Sequence, residues 1–216
     1  MKVNFVCLGQ SIGKYEVPLE IFVGLNELYE TKKKHLPNAS KQLAGKISDE
    51  VSLFYAGPTN KRMHTHNYVS EDILKWFYST FNHYLQWNKI GDFRMDINSI
   101  WVNEMKAGDY NPAHIHQGKL YTGLSSVMIL KLPKDFGPEI TRPDQPMNGR
   151  LQIMGNTAGQ FAKIDYAPEV KIGDFYIFPY DVRHLVYPFT NKKAKRRTLV
   201  CNVDVDYNPV SSRTAQ

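Results

Sequence analysis

A change of hydrophobic rhythm at residue 93 limits what this chain can fold into more than any other feature. Downstream of it, Arg94-Met-Asp-Ile-Asn-Ser-Ile-Trp-Val-Asn103 reads as one long strand. Short β runs follow at 113–117, 123–132, 150–154, 161–166, 174–179, 184–188 and 197–205, punctuated by glycines and prolines. Eight strands separated by frequent turn signals predict a sandwich or barrel. Upstream, the apolar residues recur at helical spacing instead. Ile21, Leu25 and Leu28 mark a helix over about 19–34, which Pro37 ends. Ile73, Leu74, Phe77, Phe81, Tyr84 and Leu85 mark a second, reaching about Trp87, with Ser70, Glu71 and Asp72 as a favourable N-terminus. Residues 2–8 read as an opening strand. The polar segment 38–68 reads as loop-rich, with Val51–Tyr55 ambiguous. The expected architecture is a single, mainly β domain over 1–216. An annex of one strand and two helices fills 1–92, a core of about eight strands 93–206, and a tail 207–216. Both helices should pack on one outer face of the barrel, because each has one apolar stripe to bury.

Composition closes off some function classes. At 216 residues the chain can bury a core without covalent staples. Its two cysteines, Cys7 and Cys201, each lie in an apolar strand-like run, which reads as buried thiols in a reducing, cytoplasmic setting. No signal peptide and no apolar run long enough to span a bilayer is evident. The net charge of +6 permits an acidic partner without requiring one. The cluster Lys192-Lys-Ala-Lys-Arg-Arg197 reads as a solvated hairpin, so nucleic acid is not indicated as a partner. Homodimer formation stays open.

Two histidines, His114 and His116, are spaced so that a β-strand would put both on one face. A third, His184, follows an apolar strand that ends in a turn. Converging neutral imidazoles are the ligands of a borderline divalent metal, and these three are the candidate set. His64 and His66 repeat the spacing in a polar loop and read as solvated. Asp109 and Asp181 read as turn residues rather than ligands.

The order of these residues carries a resemblance. Gly108, five residues and His114-Ile-His116 fit the first motif of the cupin superfamily. Gly173, Pro179 and His184 fit the second, with Asp181 where a glycine is usual. The glutamate that follows the first two histidines in cupins is missing from Gln117-Gly-Lys-Leu-Tyr-Thr-Gly123. The shared architecture, a double-stranded β-helix or jelly roll, is retained. A closer resemblance is to a family of 2-oxoglutarate/Fe(II) oxygenases of bacteria and their tailed phages. Its pattern is met by Trp101-Val-Asn103, Gly108, His114-Ile-His116, Ser125 to Pro133, Phe178-Pro179, His184, and Arg196-Arg-Thr198 with Asn202.

That resemblance implies Fe(II) on His114, His116 and His184, with 2-oxoglutarate as cosubstrate. It implies Arg196 as the planar cation for the distal carboxylate, with Thr198, and more weakly Asn202, on the same strand face. Arg196 is expected on a strand returning beside the one that bears His184, with Arg197 on the opposite face. Most of the wider superfamily has a carboxylate where this chain has His116, so the metal site should be more positive by one charge. Trp101, Asn103 and Tyr121 are candidate cavity-lining residues, with Tyr110 and Tyr187 flanking. The substrate stays open among a protein side chain, a nucleobase and a small metabolite. Two other functions remain: a cupin-like three-histidine metalloprotein without 2-oxoglutarate, and a non-catalytic structural module on the same fold.

Overall fold

The structure is a computed structural model that describes residues 9–40, 44–57, 63–156, 159–160 and 164–208. The expected strand at 2–8 with Cys7, part of the run at 161–166, and the tail from 209 lie outside these residues. The described elements are β1 (Gly13–Glu16), α1 (Leu19–Lys32), β2 (Asp49–Tyr55), β3 (His66–Asn67), α2 (Glu71–Trp87) and β4 (Phe93–Met105). There follow β5 (Asn111–His114), β6 (Gly123–Lys131), β7 (Leu151–Met154), β8 (Asp165–Tyr166), β9 (Asp174–Pro179), β10 (Arg183–Val186) and β11 (Arg196–Tyr207).

These strands form two antiparallel sheets. The larger has the order β1-β9-β6-β11-β4-β2-β3 and the smaller β5-β10-β7-β8. This is a jelly roll, but not the closed barrel that the sequence led us to expect. The two sheets stack through side chains, and no hydrogen-bonded ladder joins them among the described residues. From residue 93 onward the described strands are the expected eight, β4 to β11, and three more, β1 to β3, precede them. The ambiguous Val51–Tyr55 becomes β2, and β1 and β3 emerge from segments with no alternating pattern. All three gain their structure by pairing with β9 or β4 in the larger sheet, or with β2 in turn.

The larger sheet is covered on both faces. Its outer face, including Leu53, Ile100, Val102, Met128, Phe175 and Leu199, packs on Ile21, Leu25 and Tyr29 of α1 and on Ile73, Phe77 and Phe81 of α2. Its inner face, including Met105, Val127, Ile129, Tyr176 and Phe178, packs on Leu151, Ile153 and Val186 of the smaller sheet. A central strand between two layers needs apolar residues on both sides. Leu124 to Leu130 in β6 is accordingly buried throughout.

Helix α2 starts where Ser70, Glu71 and Asp72 predict, but the Ser70 side chain makes no capping hydrogen bond. The acidic first turn is left to complement the helix dipole. The glycines of the two histidine motifs, Gly108 and Gly173, have φ of 81° and 88°, a conformation most side chains resist. Each precedes an aspartate that accepts main-chain N–H groups and closes the turn. Asp109 takes those of Ser48 and Lys106, and Asp174 that of Lys171.

Candidate metal centre and cavity

The histidines meet because the two sheets face each other at this end of the molecule. His114 on β5 lies directly opposite His184 on β10 in the smaller sheet. His116 follows β5, and its main-chain N–H donates to the Tyr180 carbonyl at 2.9 Å. One ligating nitrogen from each of the three lies within 4.8 Å of the other two, a grouping that could hold a metal ion. Asp109 and Asp181 are outside the group. His66 is outside it too, bonded to the His64 carbonyl and the Ser52 hydroxyl.

Hydrogen bonding sets which nitrogen is free. A backbone carbonyl only accepts, so Nδ1 of His114 donates to Pro112 at 2.7 Å and Nδ1 of His184 to Val182 at 3.2 Å. Each therefore presents a lone pair on Nε2. Nε2 of His116 lies 3.2 Å from Nε2 of His184. Two lone pairs at that distance repel unless a proton or a cation sits between them.

Nδ1 of His116 lies 3.2 Å from the Asn202 amide nitrogen, while the Asn202 amide oxygen has no partner. Turning that amide over lets its oxygen accept an Nδ1–H and leaves the third Nε2 free as well. Asn202 thus touches a histidine, where the sequence reading placed it on the cosubstrate.

Burial pushes all three imidazoles toward the neutral form that ligates metals. His184 falls to about 3, His116 well below the usual range and His114 less far, with the neighbouring histidines adding to the effect on the first two.

The structure corrects the expected path of the chain after His184. Strand β11 does not return beside β10. It pairs with β4 and β6 in the other sheet. The connection 187–195 is long enough to cross the gap of about 10 Å between stacked sheets. Register on β4 still fixes the faces. Arg196, Thr198, Val200 and Asn202 oppose Met105, Asn103, Trp101 and Ser99, all on the inner face. Arg197 points outward, pairs with Glu104 and Glu30, and stacks 4.0 Å above the Tyr29 ring.

Arg196 is fully buried, not a surface charge in a hairpin. Its Nε and Nη2 have no partner, and its Nη1 meets only the Met105 sulfur at 3.9 Å. Burial lowers its pKa to about 10, which still leaves a full charge at neutral pH. A buried guanidinium with unpaired donors fits a carboxylate ligand such as the far end of 2-oxoglutarate.

A cavity of about 420 Å³ opens over His114 and His116, with Trp101, Asn103 and Asn202 among its walls. Trp101 stands beside His116 with ring centroids 5.9 Å apart. Arg196 and Thr198 lie further along the same inner face and do not line this cavity. Tyr121 is a correction: it is 88% exposed and outside the walls, because the turn before β6 swings it into solvent. Of the flanking tyrosines, Tyr110 is exposed and Tyr187 donates to Gln152. The sequence reading missed Glu50, a buried acid in the same cavity. The available signal was a carboxylate inside the alternating run Asp49-Glu-Val-Ser-Leu-Phe-Tyr55.

Comparison with known proteins agrees with this geometry. Residues 99–202 match the family described as "Putative 2OG-Fe(II) oxygenase". No curated protein matches the sequence. A prolyl-4-hydroxylase of Pseudomonas putida shares the fold with a TM-score of 0.55 at 15% identity, over 90% of this chain and 91% of that one. A 2OG-Fe(II) oxygenase family oxidoreductase of Burkholderia pseudomallei does so at 0.54 and 16%, over 89% and 84%. The non-heme alpha-ketoglutarate-dependent epimerase SnoN from nogalamycin biosynthesis does so at 0.58 and 10%, over 93% and 82%. Over residues 99–202, just under half of its length, the chain is thus similar to the 2OG-Fe(II) oxygenases, a family that uses Fe(II) and 2-oxoglutarate.

Proposed function

We propose that the protein is a 2-oxoglutarate- and Fe(II)-dependent hydroxylase in which His114, His116 and His184 hold the metal and Arg196 anchors the cosubstrate. When bound, iron and 2-oxoglutarate supply the oxidation of a substrate C–H bond by O₂, with succinate and CO₂ as by-products. The residues of this chain orient and exclude. Pro112 and Val182 fix the tautomers of His114 and His184, and Asn202 fixes that of His116. Trp101 walls the cavity beside His116. Thr198, one inward-facing position from Arg196, adds a hydroxyl donor to the same carboxylate. With three neutral ligands the full metal charge is retained, which strengthens the hold on an anionic cosubstrate. Cys201, a free buried thiol, is in keeping with a cytoplasmic setting.

The observation that carries this reading is the unpaired, buried guanidinium of Arg196. Neither a cupin-like metalloprotein without 2-oxoglutarate nor a structural module has a use for it. Bound iron and 2-oxoglutarate, measured in single variants, test the reading. Alanine at 114, 116 or 184 should abolish iron binding, whereas alanine at 64 or 66 should not. Arg196→Ala should keep the iron and weaken 2-oxoglutarate by about 2–5 kcal/mol. Iron retained in all three histidine variants, or 2-oxoglutarate bound equally by Arg196→Ala, would remove the assignment.

A further inference from the structure

The cavity over His114 and His116 holds an unsatisfied buried group of its own, opposite in charge to Arg196. Glu50 is 3% exposed, and its Oε1 has no hydrogen-bond partner. Asn103, directly opposite it on the neighbouring strand, is 5% exposed with its amide oxygen unpaired. Both side chains line the cavity that holds His114 and His116. Among the described residues no lysine or arginine forms an ion pair with Glu50. Lys119 lines the same cavity without reaching it.

An asparagine amide can turn over to suit its partner, but an ionised carboxylate only accepts. Burying one without a donor is costly, so its retention points to a donor that arrives with a ligand. Two acceptors side by side across a ladder match a group with at least two N–H bonds. Glu50 lies two strands from Thr198, about 10 Å at the usual strand spacing. The acidic group is therefore separate from the place the cosubstrate carboxylate would take.

We propose that Glu50 and Asn103 are specificity-determining residues and that the substrate presents a cationic N–H donor, an amine or guanidine group, to them. This rests on the oxygenase reading for its view of the cavity as a substrate site. Burial, reinforced by the charge of Asp109, raises the Glu50 carboxyl to about 7, so a cationic ligand would also draw it into the ionised form.

The experiment is anaerobic calorimetry on the iron-loaded protein with and without 2-oxoglutarate. The probes are n-butylamine and n-butylguanidine, each against a neutral counterpart without a cationic group, n-butanol and n-butylurea. The cationic probes should bind about tenfold tighter or more than the neutral ones, and Glu50→Gln should erase the difference. Glu50→Gln should also melt higher than the parent at pH 8, an outcome that a purely structural carboxylate would reverse. Equal binding of neutral and cationic probes overturns the inference. So does unchanged discrimination in Glu50→Gln, or no binding of either cation up to millimolar concentration. Failure to bind 2-oxoglutarate with the charge preference intact would sink the oxygenase reading and leave this one standing.

Discussion

Two neighbours in sequence, Arg196 and Arg197, show how one residue of register separates structure from chemistry. Arg197 is matched on the outer face by Glu104, which is fully buried. Although burial opposes it, hydrogen bonds from Lys195 and Arg197 hold the Glu104 carboxyl below its usual range. Arg197→Ala leaves that carboxylate underpaired and should cost about 3–5 kcal/mol of stability, read by denaturant unfolding, with no direct effect on the inner face. Arg196 has no such partner. Arg196→Leu should therefore stabilise the protein by about 1–4 kcal/mol in the absence of cosubstrate. It should also abolish the rise in melting temperature that saturating 2-oxoglutarate gives the parent, worth about 2.7 kcal/mol at a hundredfold excess over Kd. Destabilisation by Arg196→Leu would instead make the guanidinium a structural element. Glu50 predicts a pH dependence. Its folded pKa of about 7 lies above the unfolded carboxyl value, so the folded state binds more protons between the two. Stability should fall as pH rises from about 4.5 to 7, by about 3 kcal/mol at most, and level off above that. Urea unfolding across this range checks it: Glu50→Gln should flatten the slope, and an identical slope in the variant would remove Glu50 as its source.

Elements with strong periodicity were legible in the sequence, and those made by their partners were not. Helix α2 runs to Trp87 as expected because six apolar residues define one face. Phe77 and Phe81 from that face join Phe175 of β9 in an aromatic cluster with centroids 5.7 and 6.1 Å apart. Phe77→Ala should cost about 3–5 kcal/mol through the cavity it leaves. Because the helices lie on the outer face, iron content at a temperature where the variant is folded should match the parent. Strand β1 has four residues and gains its order from β9, so no local pattern announces it. The face of Arg196 was legible because alternation alone decides it. Its sheet was not, since nothing in residues 187–195 tells a hairpin from a crossing.

The whole molecule is a large sheet held between two helices and a small sheet, with the histidines on the small-sheet side and Arg196 on the large. The fold class followed from counting strands. Closure did not, because whether sheets join or stack depends on pairing at their edges. The histidine trio was legible from spacing within β5 and from the apolar run before His184. Glu50 and the turning of Asn202 toward His116 were not, since both depend on contacts between strands far apart in sequence. The account requires His114, His116, His184 and Arg196 to serve one bound pair of ligands across the gap between sheets. Anaerobic titration with Fe(II) and 2-oxoglutarate, followed through the visible metal-to-ligand charge-transfer band, tests this most directly. The band should need both additions, disappear in His184→Ala, and require far more 2-oxoglutarate in Arg196→Ala at unchanged iron content. No band in the folded parent protein, or an unaltered titration in Arg196→Ala, would contradict the account.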